Sequence, residues 1–208
     1  MSWGTNDTSA IQTAINNTTL CPSSDGCTIL LPLGKFWIQH VAGQTYSLLL
    51  TQGNHSFFRF AGTGNASDTG INGGGAISNL SNATSQLVSA DPLSPIFTIG
   101  ASTASLNAGP RFERVGFRDV SGVCGSPGAL LFQNVARSRL EDVGFGEFCN
   151  GYAVRYDGLT GGVNQFNYLR TLLRSMFKTV SFFPTATATT TGSSSALSIT
   201  RKRAAASA

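Results

Sequence analysis

The stretch RFERVGFRDVSG at residues 111–122 recurs in altered form as RLEDVGFGEFCNG at residues 139–151. Each copy has an apolar residue, a glutamate, a charged residue and then Val-Gly-Phe, and the second copy lies 28 positions after the first. A fixed period of this length is typical of a solenoid, in which each repeat is one coil stacked on the last. The aligned pairs are Phe112 with Leu140, Glu113 with Glu141, Val115 with Val143, Gly116 with Gly144, and Phe117 with Phe145.

The apolar positions of the repeat predict an interior made of stacked like residues. Val115 above Val143, and the two phenylalanines of the motif, would lie about 4.8 Å apart on neighbouring strands. A third copy, FNYLRT at 166–171, keeps Phe166 and Leu169 but lacks the Gly-Phe ending. Leucine-rich and propeller arrays share such periods, but their consensus leucines and Trp-Asp pairs are missing here.

Composition indicates one all-β domain. The 208 residues include 24 Gly and 14 Phe, and only 12% are charged, which favours short strands and turns over long solvated helices. Short alternating segments separated by Gly, Asn, Ser or Pro run through most of the chain. One short helix is predicted at residues 8–16, where Ile11 and Ile15 share a face and Ser9 with Gln12 forms a capping box.

The distribution of charge argues against a nucleic-acid partner. The net charge is +4, but residues 1–169 carry eight Lys and Arg against ten Asp and Glu. The remaining six cations all lie from Arg170 onward, where there is no acidic residue. Without a basic stripe across the folded part, binding to DNA or RNA is not expected.

The sequence divides into three segments. Residues 1–169 are predicted to form the β domain, and residues 170–183 an amphipathic helix with one cationic face. That helix either closes the open end of the solenoid as an apolar lid or rests on a membrane surface, and the lid is preferred. Residues 184–208 are low-complexity and predicted to be disordered.

Cysteines and sequons leave the compartment open. Cys21 with Cys27, and Cys124 with Cys149, either form disulfides in an oxidising environment or remain buried thiols. No apolar run of about 18 residues predicts a membrane span, and the opening MSWGTNDTSA has no signal-peptide pattern. Isolated histidines give no zinc motif. Seven N-x-S/T sequons occur, at Asn6, Asn16, Asn17, Asn54, Asn65, Asn79 and Asn82.

The N-terminal third resembles a known superfamily. GTNDTSAIQTAI, then TILLPLGKF, then FRFAGTG is similar to the N-terminal region of pectate-lyase-like right-handed parallel β-helix proteins. These include phage tail-spike depolymerases, rhamnogalacturonase-like and epimerase-like enzymes, and exo-β-1,3-glucanases. The resemblance covers about residues 4–170 and is most specific over the first 60. Phe36 stands where the pattern usually has Tyr, and of the usual upstream strand only Gly4 remains.

The resemblance implies a single-stranded right-handed parallel β-helix, truncated, with the first helix capping its N-terminal mouth. It implies a polysaccharide hydrolase or lyase, active or an inactive fragment. The alternative is a non-catalytic glycan-binding or structural protein of the same fold. The parent protein would be extracellular, on a cell surface or on a virion, with a homo-oligomer expected for a virion protein. Polysaccharide is the expected partner, no stable membrane insertion is expected, and no cofactor is implied except calcium for a lyase.

The candidate catalytic residues come from the repeat. Glu113 beside Glu141, and Arg114 beside Asp142, would lie on neighbouring coils, and two close carboxyls suit acid/base work on a glycosidic bond. The competing interpretation is a solvated charge ladder in which arginines neutralise the acids. The signatures of polygalacturonases and pectate lyases are absent. Lesser candidates are the acids Asp119, Glu147 and Asp157, and the sugar-stacking aromatics Trp3, Trp37 and Tyr46.

Overall fold

A computed structural model of the chain describes one helix and sixteen strands. The described residues are 5–17, 19, 26–50, 57–64, 85–91, 93–100, 107–123, 128–146, 148, 152–157, 164–165, 168–174 and 179–183. The helix α1 spans Thr8–Asn16, as the apolar spacing of Ile11 and Ile15 predicts, and both isoleucines are buried.

The strands are short and alternate with turns. The first eight are β1 (Thr28–Leu31), β2 (Gly34–Ile38), β3 (Leu48–Leu50), β4 (Arg59–Gly62), β5 (Ser85–Ser89), β6 (Phe97–Ile99), β7 (Asn107–Ala108) and β8 (Arg111–Glu113). The others are β9 (Val115–Asp119), β10 (Leu130–Phe132), β11 (Val135–Ala136), β12 (Arg139–Gly146), β13 (Tyr152–Asp157), β14 (Asn164–Gln165), β15 (Tyr168–Arg174) and β16 (Thr179–Phe183).

Every strand pairing in the described residues is parallel. The largest sheet has eight strands in the order β1-β4-β8-β12-β9-β5-β2, with β15 also paired to β12. Chain order rises to β12 and then returns, so the sheet curls into a half-barrel with its two arms meeting at β12. A second sheet runs β16-β13-β10-β6-β3, and a short third sheet runs β14-β11-β7.

This arrangement overturns the prediction of a single-stranded right-handed parallel β-helix solenoid. The described chain forms a curled half-barrel sheet with a second parallel sheet and a single helix, and it does not show that solenoid. The difference arises at β12, which is eight residues long and bonds β8 with its first half and β9 with its second. Left-handed residues at Arg114, between β8 and β9, and at Asp142, within β12, bend the chain there. One continuous strand thereby joins both arms into one sheet.

The local register of the repeat is confirmed. Glu113 pairs with Glu141, Gly116 with Gly144, and Phe117 with Phe145, all at the offset of 28. The third copy also pairs, because Leu169 of β15 lies in register with Leu140. The period therefore identified the neighbouring strands correctly. It carried no information on how many strands each repeat contributes to a sheet.

The core lies between the sheets and is rich in phenylalanine. Phe60, Phe112 and Leu140 stand in register on β4, β8 and β12, and each is fully buried. The Phe112 ring contacts the Phe97 ring of the second sheet in an edge-to-face arrangement, with centroids 5.2 Å apart. Such contacts add to the burial energy that holds two sheets together.

The segment containing α1 lies at the β2 and β3 end of the sheets. Asp7 receives a hydrogen bond from the Trp37 amide at 2.8 Å and donates its own amide to the Trp37 carbonyl at 2.9 Å. The Gln12 side chain bonds both the amide and the carbonyl of Leu49. These contacts satisfy backbone groups of two edge strands. Without them, the open N–H and C=O groups of an edge strand can pair with another chain.

The predicted capping box at Ser9 and Gln12 is wrong. The N-cap residue is Asp7, which makes no side-chain capping bond, and the Thr8 amide donates instead to Asn6 Oδ1 at 3.0 Å. Gln12 does not reach back to the helix start, because its amide group is engaged by the edge of β3.

The predicted helix over 170–183 is also wrong. Residues 168–174 form β15 and residues 179–183 form β16, paired in parallel with β12 and β13. The predicted domain boundary at residue 169 falls inside β15. Apolar spacing in this segment fits a helix, but an open parallel edge supplies hydrogen bonds that override such weak propensity. The predicted tail, residues 184–208, lies outside the described residues.

Candidate functional site

Strands β4, β8 and β12 place three arginines in one outward-facing column. Arg59, Arg111 and Arg139 are Cα partners across these strands, and each precedes a buried apolar residue by one position. Because successive residues of a strand face opposite sides, the arginines lie on the outer face. Neighbouring members of this arginine column are separated by about one strand spacing, roughly 4.8 Å.

A second outward column carries the predicted acids. Glu113 and Glu141 are direct Cα partners, as the repeat predicted. Arg59 donates Nε and Nη2 to Oε2 of Glu113, at 2.8 and 2.5 Å. Within β12, Arg139 Nη2 lies 2.5 Å from Oε2 of Glu141. Each carboxylate thus has a guanidinium partner, and the two outer arginines of the column are ion-paired.

Arg111 differs from its two neighbours in the column. Its side chain is exposed, and it forms no ion pair with another residue that the structure describes. Two more exposed arginines, Arg114 and Arg137, lie at left-handed turns flanking β8 and β12. The outer face therefore presents guanidinium groups that no described carboxylate neutralises.

Asp142 is the third predicted catalytic residue. It sits in a left-handed turn with φ of 54°, and its Oδ1 atom is buried and has no hydrogen-bond partner among the described residues. Arg114, the predicted partner, makes no ion pair with it among the described contacts. The Arg114 amide bonds the Glu141 carbonyl at 3.1 Å, so the two turns do stack. Catalytic roles for Glu113, Glu141 and Asp142 stay predictions.

The lesser candidates are dispersed over the fold. Asp119 is buried and accepts a hydrogen bond from the Ser121 amide at 2.9 Å. Asp157 pairs with Arg155 on β13 at 2.7 Å, in the second sheet. Trp37 is partly buried beside the start of α1, where it bonds Asp7, and Tyr46 is partly buried in the segment before β3. Glu147 and Trp3 lie outside the described residues.

A small polar cluster occurs where β2 leads towards β3. His40 Nδ1 lies 3.0 Å from Ser94 Oγ, which lies 2.8 Å from Ser47 Oγ. A histidine beside a serine is the pairing that nucleophilic catalysis uses. Both hydroxyls are buried, and the carboxylate of Asp91 bonds the His40 backbone amide rather than the imidazole. The cluster thus joins two loops, and no described residue orients the ring as a catalytic histidine requires.

Within the described residues, no group of three or more His, Cys, Asp or Glu side chains is placed to hold a metal ion. No helix in the same part of the chain has the length and apolar character needed to cross a membrane.

Cys27 is disulfide-bonded. Cys27 lies one residue before β1 and is buried. The other three cysteines, Cys21, Cys124 and Cys149, lie outside the described residues. The alternative that Cys27 is a free thiol is therefore wrong.

Sequence reasoning missed a column of left-handed backbone positions beside the arginines. Gly26, Phe57, Gly109 and Arg137 each lie two residues before a strand of the large sheet, with φ of 74°, 59°, 67° and 58°. The Phe57 amide bonds the Ala108 carbonyl at 2.6 Å, and the Gly109 amide bonds the Ala136 carbonyl at 2.7 Å. We name these four positions the corner column. Aligning the residues before β1, β4, β8 and β12 would have found it, since two of the four are glycine.

Comparison with known proteins gives no match: no family model, curated protein or solved structure is similar to this chain. The resemblance over residues 4–170 to pectate-lyase-like proteins stays a prediction.

Proposed function

We propose that the chain binds an anionic polysaccharide along the outer face of β4, β8 and β12. The observation that carries the proposal is the arginine column, in which Arg59, Arg111 and Arg139 stand in register on consecutive strands. A linear polymer with regularly spaced acidic groups matches a linear row of guanidinium groups. A small anion would need one arginine, whereas this surface repeats the same donor.

Arginine suits carboxylate and sulfate groups because its planar fork donates two parallel hydrogen bonds. Arg111 is free to do so, since it is exposed and has no described ion-pair partner. Arg59 and Arg139 are about 38% and 37% exposed and keep part of their guanidinium surface towards solvent. The ion pairs with Glu113 and Glu141 hold these two side chains in place beside Arg111.

A polysaccharide is favoured over a nucleic acid on two grounds. The first is the motif resemblance of residues 4–170 to polysaccharide-acting proteins. The second is charge: two of the three arginines of the column are ion-paired with glutamates of the same face, so its positive charge is partly neutralised. Nucleic-acid binding requires a wider basic surface, because its affinity depends on neutralising many phosphates.

Binding is favoured over hydrolysis by the same contacts. A glycosidase needs one carboxyl group to donate a proton and another to act as nucleophile or base. Glu113 and Glu141 are each held by an arginine at 2.5 Å, so both carboxylates are engaged in ion pairs within the outer face. Turnover is nevertheless a measurable alternative.

We also propose that the protein works outside the cell or at its surface. The disulfide at Cys27 supports this location, since such bonds persist in oxidising compartments. Seven sequons, three of them at the described positions Asn6, Asn16 and Asn17, are consistent with it.

The test is binding of the soluble protein to polygalacturonate, heparin and neutral dextran, measured by affinity electrophoresis and calorimetry. We expect the two acidic polymers to bind, and dextran to bind weakly or not at all. Arg111→Ala should weaken binding about tenfold, the loss of one charge-assisted bidentate contact. The matched control is Arg155→Ala, which removes one positive charge from the second sheet.

Three results would overturn the proposal. The first is no binding to any polymer. The second is equal loss of affinity in the Arg111 and Arg155 variants, which would indicate charge alone. The third is stronger binding to single-stranded DNA than to either acidic polysaccharide. Release of reducing ends or unsaturated products would replace the binding role with a catalytic one.

A further inference from the structure

Phe57 combines three features that together point to a role at the surface. It is a large aromatic residue, it is 52% exposed, and its backbone is left-handed with φ of 59°. Left-handed conformation in a bulky residue is an outlier, because the β-carbon crowds the backbone. The neighbouring corners Gly26 and Gly109 are glycines, which adopt this conformation freely. A phenylalanine here carries backbone strain while about half of its surface stays exposed to solvent.

The ring of Phe57 lies against the bare backbone of Gly109. A β-carbon built on Gly109 would stand 2.6 Å from Cδ1 and 3.1 Å from Cε1 of Phe57, so any side chain there would displace the ring. On its other side, a β-carbon on Gly26 would stand 3.0 Å from the Phe57 carbonyl oxygen. The aromatic residue is thus flanked by two glycines, and the backbone of Gly109 forms the surface on which its ring rests.

The Phe57 ring and Gly109 lie next to the arginine column in the strand stack. Gly109 is two residues before Arg111, and Phe57 is two residues before Arg59. Arg137, the next corner, follows Gly109 in the stack and is exposed. An exposed aromatic ring therefore stands at the margin of the surface that carries the guanidinium groups without a described ion-pair partner.

We propose that Phe57 is a stacking platform for a sugar ring of the polysaccharide, an inference that rests on the proposed function and extends it. The C–H face of a pyranose ring is apolar and packs on the negative face of an aromatic ring. Arg111 would then bind an acidic group of the same sugar or of its neighbour. The strained backbone is retained because it presents the ring, as strain at binding sites often does.

The competing explanation is structural: the ring merely covers Gly109. The two explanations predict opposite responses to Phe57→Gly and Phe57→Asn. Glycine and asparagine tolerate the left-handed conformation, so both variants relieve the strain while removing the ring. If the ring serves a ligand, the melting temperature stays the same or rises and polygalacturonate binds about tenfold more weakly. Phe57→Trp should bind as tightly as the wild type.

Ionic strength separates the roles of the two residues. Stacking on an aromatic ring is insensitive to salt, whereas contacts of exposed charges are screened. The affinity of Phe57→Gly should therefore fall with salt as steeply as that of the wild type, and that of Arg111→Ala less steeply. A melting temperature lowered by several degrees in Phe57→Gly, or unchanged affinity in both Phe57→Gly and Phe57→Asn, would overturn the inference. Wild-type protein that binds no polymer would instead refute the proposed function.

Discussion

The inner and outer faces of β4, β8 and β12 carry columns of opposite character at adjacent sequence positions. Inside, Phe60, Phe112 and Leu140 are fully buried, and the two phenylalanines pack against Phe97 of the second sheet. Outside, Arg111 is exposed and forms no described ion pair. The same strand register aligns both columns, because residues of a strand alternate between faces. The buried core and the proposed binding surface are therefore one residue apart in sequence, and substitutions at neighbouring positions should have unrelated effects.

The largest loss of stability is expected for Phe112→Ala, which removes a buried ring from the inner column. The ring of Phe112 packs against those of Phe60, Phe97, Phe117 and Phe132 at centroid distances of 5.2 to 6.2 Å. Its removal should lower the free energy of unfolding by about 3–5 kcal/mol, the usual cost of a buried phenylalanine. Denaturant unfolding measures this. The adjacent Arg111→Ala should stay within about 0.5 kcal/mol of wild type, and similar losses at both positions would contradict the contrast between the faces.

Tyr156→Phe tests how much a buried hydroxyl group in the otherwise apolar core contributes to stability. Tyr156 stacks on Phe132 at 4.8 Å, and its hydroxyl lies 3.0 Å from Ser138 Oγ. At neutral pH the variant should lose about 1 kcal/mol, one buried hydrogen bond.

The same residue predicts a pH dependence. Burial raises the pKa of Tyr156 above its ordinary value, and the bond from Ser138 lowers it only in part. Above pH of about 10 the unfolded chain therefore releases this proton while the folded chain keeps it, and stability falls as pH rises. Urea unfolding measured below and above that pH should show that the free energy of unfolding decreases less in Tyr156→Phe than in the wild type. Equal losses would mean that Tyr156 does not contribute.

Glu113→Gln should have the smallest effect on stability. The pair with Arg59 has side-chain exposures of 38% and 14%, so solvent screens it and its loss should cost less than about 1 kcal/mol. Binding of polygalacturonate should tighten severalfold, because Arg59 is released to the ligand. Thermal unfolding and calorimetry measure the two quantities. Weaker binding would show instead that the ion pair positions Arg59 for the ligand and that its release is no advantage.

The sequence predicted the local features of the fold better than its architecture. Pairing at an offset of 28 and the helix at 8–16 are confirmed, because both depend on short apolar periods. The solenoid is wrong because a period does not specify how sheets join, and β12 joins two arms. The helix at 170–183 is wrong because tertiary pairing outweighed local spacing.

The candidate site was predicted in part. Glu113 beside Glu141 followed from the repeat, but the partner of Glu113 is Arg59, 54 residues earlier and outside both copies of the motif. Such a contact depends on which strands meet, which the repeat alone does not reveal. Phe57 was missed because a left-handed phenylalanine has no sequence signature until its neighbours Gly26 and Gly109 are aligned with it.

Arginine Nε–H resonances, recorded during titration with polygalacturonate, test the proposed binding surface most directly. We expect the largest shifts at Arg111, smaller shifts at Arg59 and Arg139, and none at Arg155, which lies on the second sheet and pairs with Asp157. Shifts at Arg155 that equal those at Arg111, or an unchanged Arg111 resonance at saturating polymer, would contradict the proposal that the outer face of β4, β8 and β12 binds the ligand.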